Sequence, residues 1–466
     1  MKHYGNRVED VKIAYIGGGS RGWAWGLMSD LAREEAMGGL VALYDIDYEA
    51  AKANETIGNR VNIDCPEAPG KWTYKAEEKI EDALKGADFV VISILPGTFD
   101  EMASDVHTPE KYGIYQSVGD TVGAGGIIRA LRTIPMYEVI ANAIKENCPD
   151  AWVINYTNPM TMCVKALYKV FPEINAVGCC HEVFGTQKLL ANCAKEMLGV
   201  EEEIKREEIK VNVYGINHFT WIDKAFYKNI DLLPYYKEYC IKHYNDEAAK
   251  ITDDNWANRN FISQNIVHYD LFLKYGVIAA AGDRHLAEFC PNKWYLKDPE
   301  TVAKWRFALT SVAWRKEDLQ ERLARSKRLL SGEEKFKIKQ TGEEGVKQMK
   351  ALLGLGDFVT NVNVPNIGQT PNLPLGAVVE SNAHFTVDSV RPVATGNIKT
   401  NVLSLMYQTV LNQETVVEAA LERDLDKAFS AFIKDPQIET LSLDDAKKLF
   451  DEMVENTSKY LTEYKR

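Results

Sequence analysis

The sequence predicts an α/β chain: a parallel sheet flanked by helices in its first part, followed by a mixed α+β part. Three observations carry this. Short apolar runs alternate with helical stretches up to about residue 195. The first of those runs ends in a glycine cluster that opens a helix. Beyond about residue 195 the alternation gives way to an antiparallel strand pair, long charged helices and a helical C-terminus. Strands separated by helical stretches of this length pair in parallel, because each crossover returns the chain to the same end of the sheet.

Taken in order, residues 11–16 (VKIAYI) form the first parallel strand and residues 22–33 the first helix. Residues 40–44 (LVALY) form a second strand that ends at Asp45. The run 89–95 (FVVISIL) is stopped by Pro96-Gly97, and residues 152–156 and 175–179 add two more strands. The charged stretch 201–206 marks a surface. Residues 210–214 and 220–227 read as an antiparallel pair. Lys- and Glu-rich helices fill about 300–353, and a strand-like stretch over 376–391 precedes the helical end. No internal repeat or low-complexity segment interrupts the chain. We therefore divide it into residues 1–195 and residues 196–466.

Bulk properties restrict the function. The chain has 466 residues and a formal net charge of −12. Such a surface repels nucleic acid and anionic membranes, so neither is an expected partner. Residues 1–6 lead almost directly into the first strand without an apolar leader segment, and no apolar run reaches membrane-spanning length. A cytoplasmic location is expected. The eight cysteines show no disulfide spacing and no CxxC pair, which suits buried thiols in a reducing compartment.

Gly17, Gly19 and Gly22 fit GxGxxG. They follow a strand, open a helix, and precede an acid at the end of the next strand. This is the Rossmann-type arrangement for NAD: glycines let backbone N–H groups approach the pyrophosphate, and the helix N-terminus adds partial positive charge. Gly17, Gly18, Gly19 and Ser20 would hold the phosphates. Asp45 would accept the adenosine ribose hydroxyls, a choice that favours NAD over NADP. Arg21 is a competing signal, since an Arg nearby can accommodate a 2′-phosphate.

The remaining polar groups cluster at strand ends, where α/β sheets place their sites. Cys180, His181 and Glu182 follow the strand 175–179. His218 lies in the turn between the antiparallel strands. A Cys and a His so far apart in sequence are a poor metal signature by spacing alone. Asn155 to Pro159 caps the strand 152–156, with Asn158 just beyond its end. Tyr269-Asp270 and Asp283-Arg284-His285 bring further acid–base groups into one stretch, or are simply solvated helix faces.

Together these motifs resemble glycoside hydrolase family 4, the NAD- and metal-dependent glycosidases that depart from the two-carboxylate rule. The resemblance spans most of the chain. It rests on the turn 17–20, the run 123–135 (GAGGIIRALRTIP), Asn155 to Pro159, Cys180-His181, Asn217-His218 and Asn372-Leu373-Pro374. The tetrad 180–183 (CHEV) is similar to that of the α-galacturonidase branch, other branches carrying another residue at position 182. Asp120 stands where many members have Glu, which leaves its role open.

The resemblance implies a lactate/malate dehydrogenase-type C-terminal part that holds substrate and metal and forms the oligomer. It implies that Cys180 and His218 bind the metal, usually Mn²⁺, and that Asn158 contacts sugar hydroxyls. It places His181 as a general acid, with Asp270 or Tyr269 as the base, and assigns Asn155 to the cofactor. Glu182, Arg284 and His285 are expected at the substrate, with Arg284 or Arg129 receiving a uronate carboxylate. The implied reaction is redox-neutral hydrolysis of an α-galacturonide. C3 is oxidised by NAD⁺, the metal-polarised ketone acidifies the C2 proton, the aglycone is eliminated, water adds, and C3 is reduced again. A homodimer or homotetramer is expected. An α-galactoside or α-glucoside as substrate, a hydroxy-acid dehydrogenase and a non-enzymatic NAD sensor are the competing readings.

Overall fold

The computed structural model describes residues 1–245 and 263–464. Its strands are β1 Lys2–Tyr4, β2 Arg7–Ile16, β3 Met37–Tyr44, β4 Lys71–Glu77, β5 Phe89–Ile92, β6 Trp152–Asn155, β7 Asn175–Gly178, β8 Ile209–Ile216, β9 Phe219–Tyr227, β10 Ile230–Asp231, β11 Ile278–Ala279, β12 Phe358–Pro365, β13 Val378–Thr386 and β14 Ser389–Pro392. The main sheet runs β14-β13-β12-β7-β6-β5-β2-β3-β4, with β1 on β2. From β7 to β4 all neighbours are parallel. The chain order reverses between β2 and β5, where doubly wound sheets open a crevice beyond their carboxyl ends.

Both faces of this sheet are covered. Ala14 and Ile16 of β2 face one core together with Val90, Ile92 and Val153. The alternate residues Ile13, Tyr15, Phe89, Val91 and Ile154 face the other. A period of two with apolar residues on both sides is the signature of a strand buried on both faces. The first core is roofed by the helices Gly123–Asn147, Met160–Val170 and Thr400–Glu422. The second lies under Trp23–Ala32 and Tyr48–Asp64.

The expected parallel strands are all present, with small differences at their ends. β5 stops at Ile92 rather than Leu95, because Ile94 N donates to Thr157 Oγ1 and the chain turns across the sheet end. The edge strand β4 was not anticipated. The segment expected as one strand over 376–391 is a hairpin, β13–β14, and β12 precedes it. These three strands extend the main sheet: β12 lies antiparallel to β7, pairing Asn363 with Gly178. Helices after residue 400 also pack on the first core. The end of strand–helix alternation near 195 is therefore not the edge of the main sheet.

The second sheet holds β8, β9, β10 and β11, with β8 and β9 antiparallel as expected. Its hairpin turn is Asn217-His218. Among the described residues no helix is long and apolar enough to cross a membrane. All eight cysteines are free thiols, and every one except Cys180 is buried.

Candidate functional site

The glycine turn is built by close approach. Gly17 has φ +95°, and a Cβ there would lie 2.0 Å from the Ser93 carbonyl oxygen at the end of β5. A Cβ on Gly18 would press on Leu43, and one on Gly19 on Ala50 and Asp45. The buried Asn54 amide ties the turn down by donating to the Gly18 and Ser20 carbonyls, at 2.7 and 3.0 Å. Ser20 Oγ accepts the Trp23 N–H that starts the helix. The turn thus forms a side-chain-free cradle against a helix N-terminus, which fits a pyrophosphate. Asp45 accepts the Gly19 and Asp47 N–H groups at 2.9 and 3.0 Å, which fixes its carboxylate at the end of β3.

Beyond the neighbouring strand ends stands a compact polar cluster. One ligand atom from each of Asp120, His218 and His285 lies within 4.8 Å of the others. The His218 and His285 rings are 3.7 Å apart, centroid to centroid. His218 occupies the second position of the β8–β9 turn with φ +64°, an unusual conformation for a residue with a Cβ and one that recurs at functional sites. Asp120 is carried by the loop that precedes the helix Gly123–Asn147. That loop folds back so closely that a Cβ on Gly126 would meet the Thr121 backbone at 2.5 Å, which accounts for the glycines of the run 123–126.

Hydrogen bonds determine the protonation of this cluster. Thr121 Oγ1 donates to Asp120 Oδ1 at 2.7 Å and lies 2.8 Å from His218 Nδ1. The hydroxyl has one proton, and the carboxylate only accepts, so the hydroxyl accepts Nδ1–H from His218. The other ring nitrogen then carries a lone pair. Burial, reinforced by the His285 ring, holds the His218 pKa down at about 3, so the ring is neutral at pH 7. Burial also lowers His285, whose Nδ1 is enclosed without a partner. Burial opposes ionisation of Asp120, yet the His218, Arg129 and His285 side chains and the Thr121 hydroxyl hold its pKa below the usual carboxylate value. With both rings neutral, Arg129 and Thr121 carry that direction. Asn158 Nδ2 donates to Asp120 Oδ2 at 3.2 Å, and its buried Oδ1 has no partner. Two neutral imidazoles, a carboxylate and an amide oxygen form a donor set suited to a divalent cation.

Cys180 and Glu182 border the cluster. Burial pushes the Cys180 thiol well above its usual range, and the Glu380 and Glu182 carboxylates push it further. A thiolate there needs a cation beside it. Glu182 accepts the Gly282 N–H at 2.7 Å, and its other oxygen stands 3.8 Å from His285 Nε2 and 3.9 Å from His181 Nε2. His181 is the more exposed histidine. Its Nδ1 lies 3.0 Å from Glu343, and that hydrogen bond raises its pKa.

Four of the expected site residues do not face this cluster. Asn155 is fully buried: its Oδ1 accepts Tyr137 OH and Thr157 N–H, and its Nδ2 donates to Thr157 O, so it shapes the turn rather than reaching a cofactor. Arg284 donates to Ser117 O, Ala308 O and Thr310 Oγ1, a scaffold role that leaves it unsuited to a substrate carboxylate. Asp270 is bound to Lys274 Nζ and Tyr295 OH, each at 2.5 Å. Tyr269 packs against the Tyr236 and Tyr239 rings. Arg129, the other cation considered, donates through Nε to Asn158 O at 3.1 Å and has no carboxylate within ion-pair distance among the described residues.

Several site residues were not anticipated. Thr121 sets the His218 tautomer. Glu343 pairs with His181. Glu288 accepts the Val118 and Gly119 N–H groups just before Asp120, at 2.8 and 2.9 Å. Glu380, in β13, accepts from Asn361 and Asn217. Its one visible signal is a Glu directly after the apolar pair Val378-Val379.

Comparison with known proteins places this arrangement. The family description "Family 4 glycosyl hydrolase" fits residues 12–196, and its C-terminal domain description fits residues 213–438. The chain is 64% identical over 465 residues to an alpha-galacturonidase of Thermoanaerobacterium saccharolyticum, covering 100% of this chain and 99% of that protein. It is 51% identical over 448 residues to an alpha-galacturonidase of Bacillus subtilis, covering 96% and 98% respectively. Among solved structures, it resembles the Bacillus subtilis protein lplD, with a TM-score of 0.90 and 51% identity over 96% of this chain and 100% of that one. The 6-phospho-beta glucosidase of Thermotoga maritima, solved with manganese, NAD+ and glucose-6-phosphate, shares the fold, with a TM-score of 0.74 at 21% identity over 97% of this chain and 99% of that one.

Proposed function

The chain belongs to glycosyl hydrolase family 4, and from this membership and the site geometry we propose that it is an α-galacturonidase working with NAD and a divalent metal, Mn²⁺ foremost. The observation that carries the mechanism is the Asp120–His218–His285 cluster, set beyond the same sheet ends as the glycine cradle. The full-length identity to alpha-galacturonidases supports the substrate class.

NAD supplies reversible oxidation of a sugar carbinol, and the metal supplies Lewis acidity at the oxygen so formed. The chain's residues do the rest. Gly17, Gly18, Gly19 and Ser20 offer backbone to the pyrophosphate, and Asp45 faces the ribose. His218 presents its free lone pair, with Asp120, His285 and the Cys180 sulfur as the remaining metal donors. Asn158, with its unpartnered Oδ1, orients sugar hydroxyls beside them. Arg129 is the cation left to face an anionic sugar. His181 holds a proton on the exposed side, where a leaving aglycone would depart, and Glu182 borders the sugar between His181 and His285. In this reading residues 1–195 carry the nucleotide cradle, while residues 196–466 bring in His218 and His285. A homodimer or homotetramer is the working assembly, read directly by light scattering.

The test is hydrolysis of aryl α-galacturonide and aryl α-galactoside with NAD⁺ and Mn²⁺, each additive omitted in turn from stripped enzyme. Cleavage of the galacturonide that requires both supports the reading. Undiminished cleavage without either would overturn it.

A further inference from the structure

Glu380 is almost fully enclosed, with 1% of its surface exposed, and among the described residues no Lys, Arg or His nitrogen lies within ion-pair distance of it. A buried carboxylate without a cation destabilises a fold unless hydrogen bonds compensate. Here the donors include two asparagine side chains. Asn361 Nδ2 donates to Oε1 at 2.6 Å, and Asn217 Nδ2 donates to Oε2 at 3.3 Å.

Each of those amides has a second N–H, and that of Asn361 goes to Cys180. Asn361 Nδ2 also lies 3.4 Å from the Cys180 carbonyl oxygen. Asn217 is the residue before His218 in the β8–β9 turn. One carboxylate on β13 therefore grips, through two amides, both the strand-end residue Cys180 and the hairpin turn that carries His218. These segments come from different sheets, and no other side chain described above spans them in this way.

We propose that Glu380 is a positioning residue that sets Cys180 and His218 in a single metal-binding arrangement through Asn217 and Asn361. This rests on the reading of Cys180 and His218 as metal donors. In its ionised form a carboxylate suits the task because it only accepts: its two oxygens orient the Asn361 and Asn217 amides with an N–H inward, which leaves the second N–H of Asn361 to the Cys180 carbonyl. A glutamine in its place offers one acceptor oxygen and a competing NH₂, so one of the two amides loses its orientation.

The experiment measures Mn²⁺ and NAD⁺ dissociation constants by calorimetry on the full chain for wild type, Glu380→Gln, Glu380→Ala and Cys180→Ser. It also records the thiolate-to-metal charge-transfer band of the Co²⁺-loaded protein. Outer groups that orient metal ligands typically contribute about 10–100-fold in affinity. Glu380→Ala should weaken Mn²⁺ by that factor and shift or abolish the Co²⁺ band, with NAD⁺ affinity retained. Glu380→Gln should fall between it and wild type. Wild-type Mn²⁺ affinity and an unchanged band in both Glu380 variants would overturn the proposal. So would parallel loss of NAD⁺ binding in both, which would mark Glu380 as a general structural residue. If Cys180→Ser binds Mn²⁺ like wild type, the ligand reading itself fails. If Cys180→Ser weakens binding and the Glu380 variants do not, the positioning role alone fails.

Discussion

Thr121 Oγ1 stands 2.8 Å from His218 Nδ1, joining two residues 97 positions apart. Because the same hydroxyl donates to Asp120, it receives the proton of the imidazole and turns the opposite lone pair outward. Thr121→Val keeps the side chain's shape but removes that acceptor. Mn²⁺ affinity is expected to fall by roughly 10–100-fold, the usual effect of losing a group that orients a metal ligand. NAD⁺ affinity should not change, and Thr121→Ser should behave like wild type. Titration calorimetry on the three proteins reads this directly, and equal Mn²⁺ affinity in all three contradicts the tautomer argument.

The pH dependence of turnover should respond to Glu343. Its hydrogen bond to His181 raises the histidine pKa, so the protonated ring persists to higher pH than an isolated histidine would allow. Glu343→Gln removes the charge and lowers that pKa. If His181 is the general acid, the alkaline limb of the kcat/KM profile moves to lower pH in the variant. The effect on stability has a matching sign. A raised folded-state pKa stabilises the fold below the unfolded-state pKa, and that contribution is lost as pH rises through the folded-state value. The difference in urea midpoint between wild type and variant should therefore shrink with rising pH. An unmoved alkaline limb removes His181 from the proton transfer.

What sequence alone revealed follows a physical division. The glycine turn, Asp45, Cys180 and His218 were legible because spacing and position at a strand end express local geometry. Thr121 and Glu380 were not, because each acts through a contact over about a hundred residues or more, and nothing local marks such a partner. Asn155 and Arg284 show the converse. Their polarity signals that they need partners, yet the partners are the backbone of their own surroundings. The attachment of β12 to β7 was hidden for the same reason, since it rests on pairing at Asn363 and Gly178 across a large part of the chain.

Asp270 provides a test of that distinction. Its carboxylate is engaged by Lys274 and Tyr295 within the second part of the chain. Asp270→Asn should lower folding stability by about 1–3 kcal/mol, the cost of weakening a buried charged hydrogen bond. Turnover per folded molecule should remain close to wild type. Urea denaturation and kcat measured on the same preparations decide the matter. A large loss of kcat with unchanged stability would return Asp270 to the proton-abstraction step.

Gly17 tests whether nucleotide and metal binding depend on separate supports. Alanine there would need φ +95° and would push a Cβ to 2.0 Å from the Ser93 carbonyl oxygen, so the end of β5 must move. Substituting Ala at a glycine with positive φ costs upwards of about 1 kcal/mol even without a clash. The displaced Ser93 carbonyl lies against the glycine turn itself, so the shift reaches the nucleotide side of the crevice first. Asp120 is held instead by Glu288 and the glycines of 123–126, and His218 by its own hairpin. Gly17→Ala should therefore lose NAD⁺ affinity and stability together while retaining Mn²⁺ binding at temperatures where it stays folded. If Mn²⁺ affinity falls in step with NAD⁺ affinity, the two sites share one support at the switch point between β2 and β5.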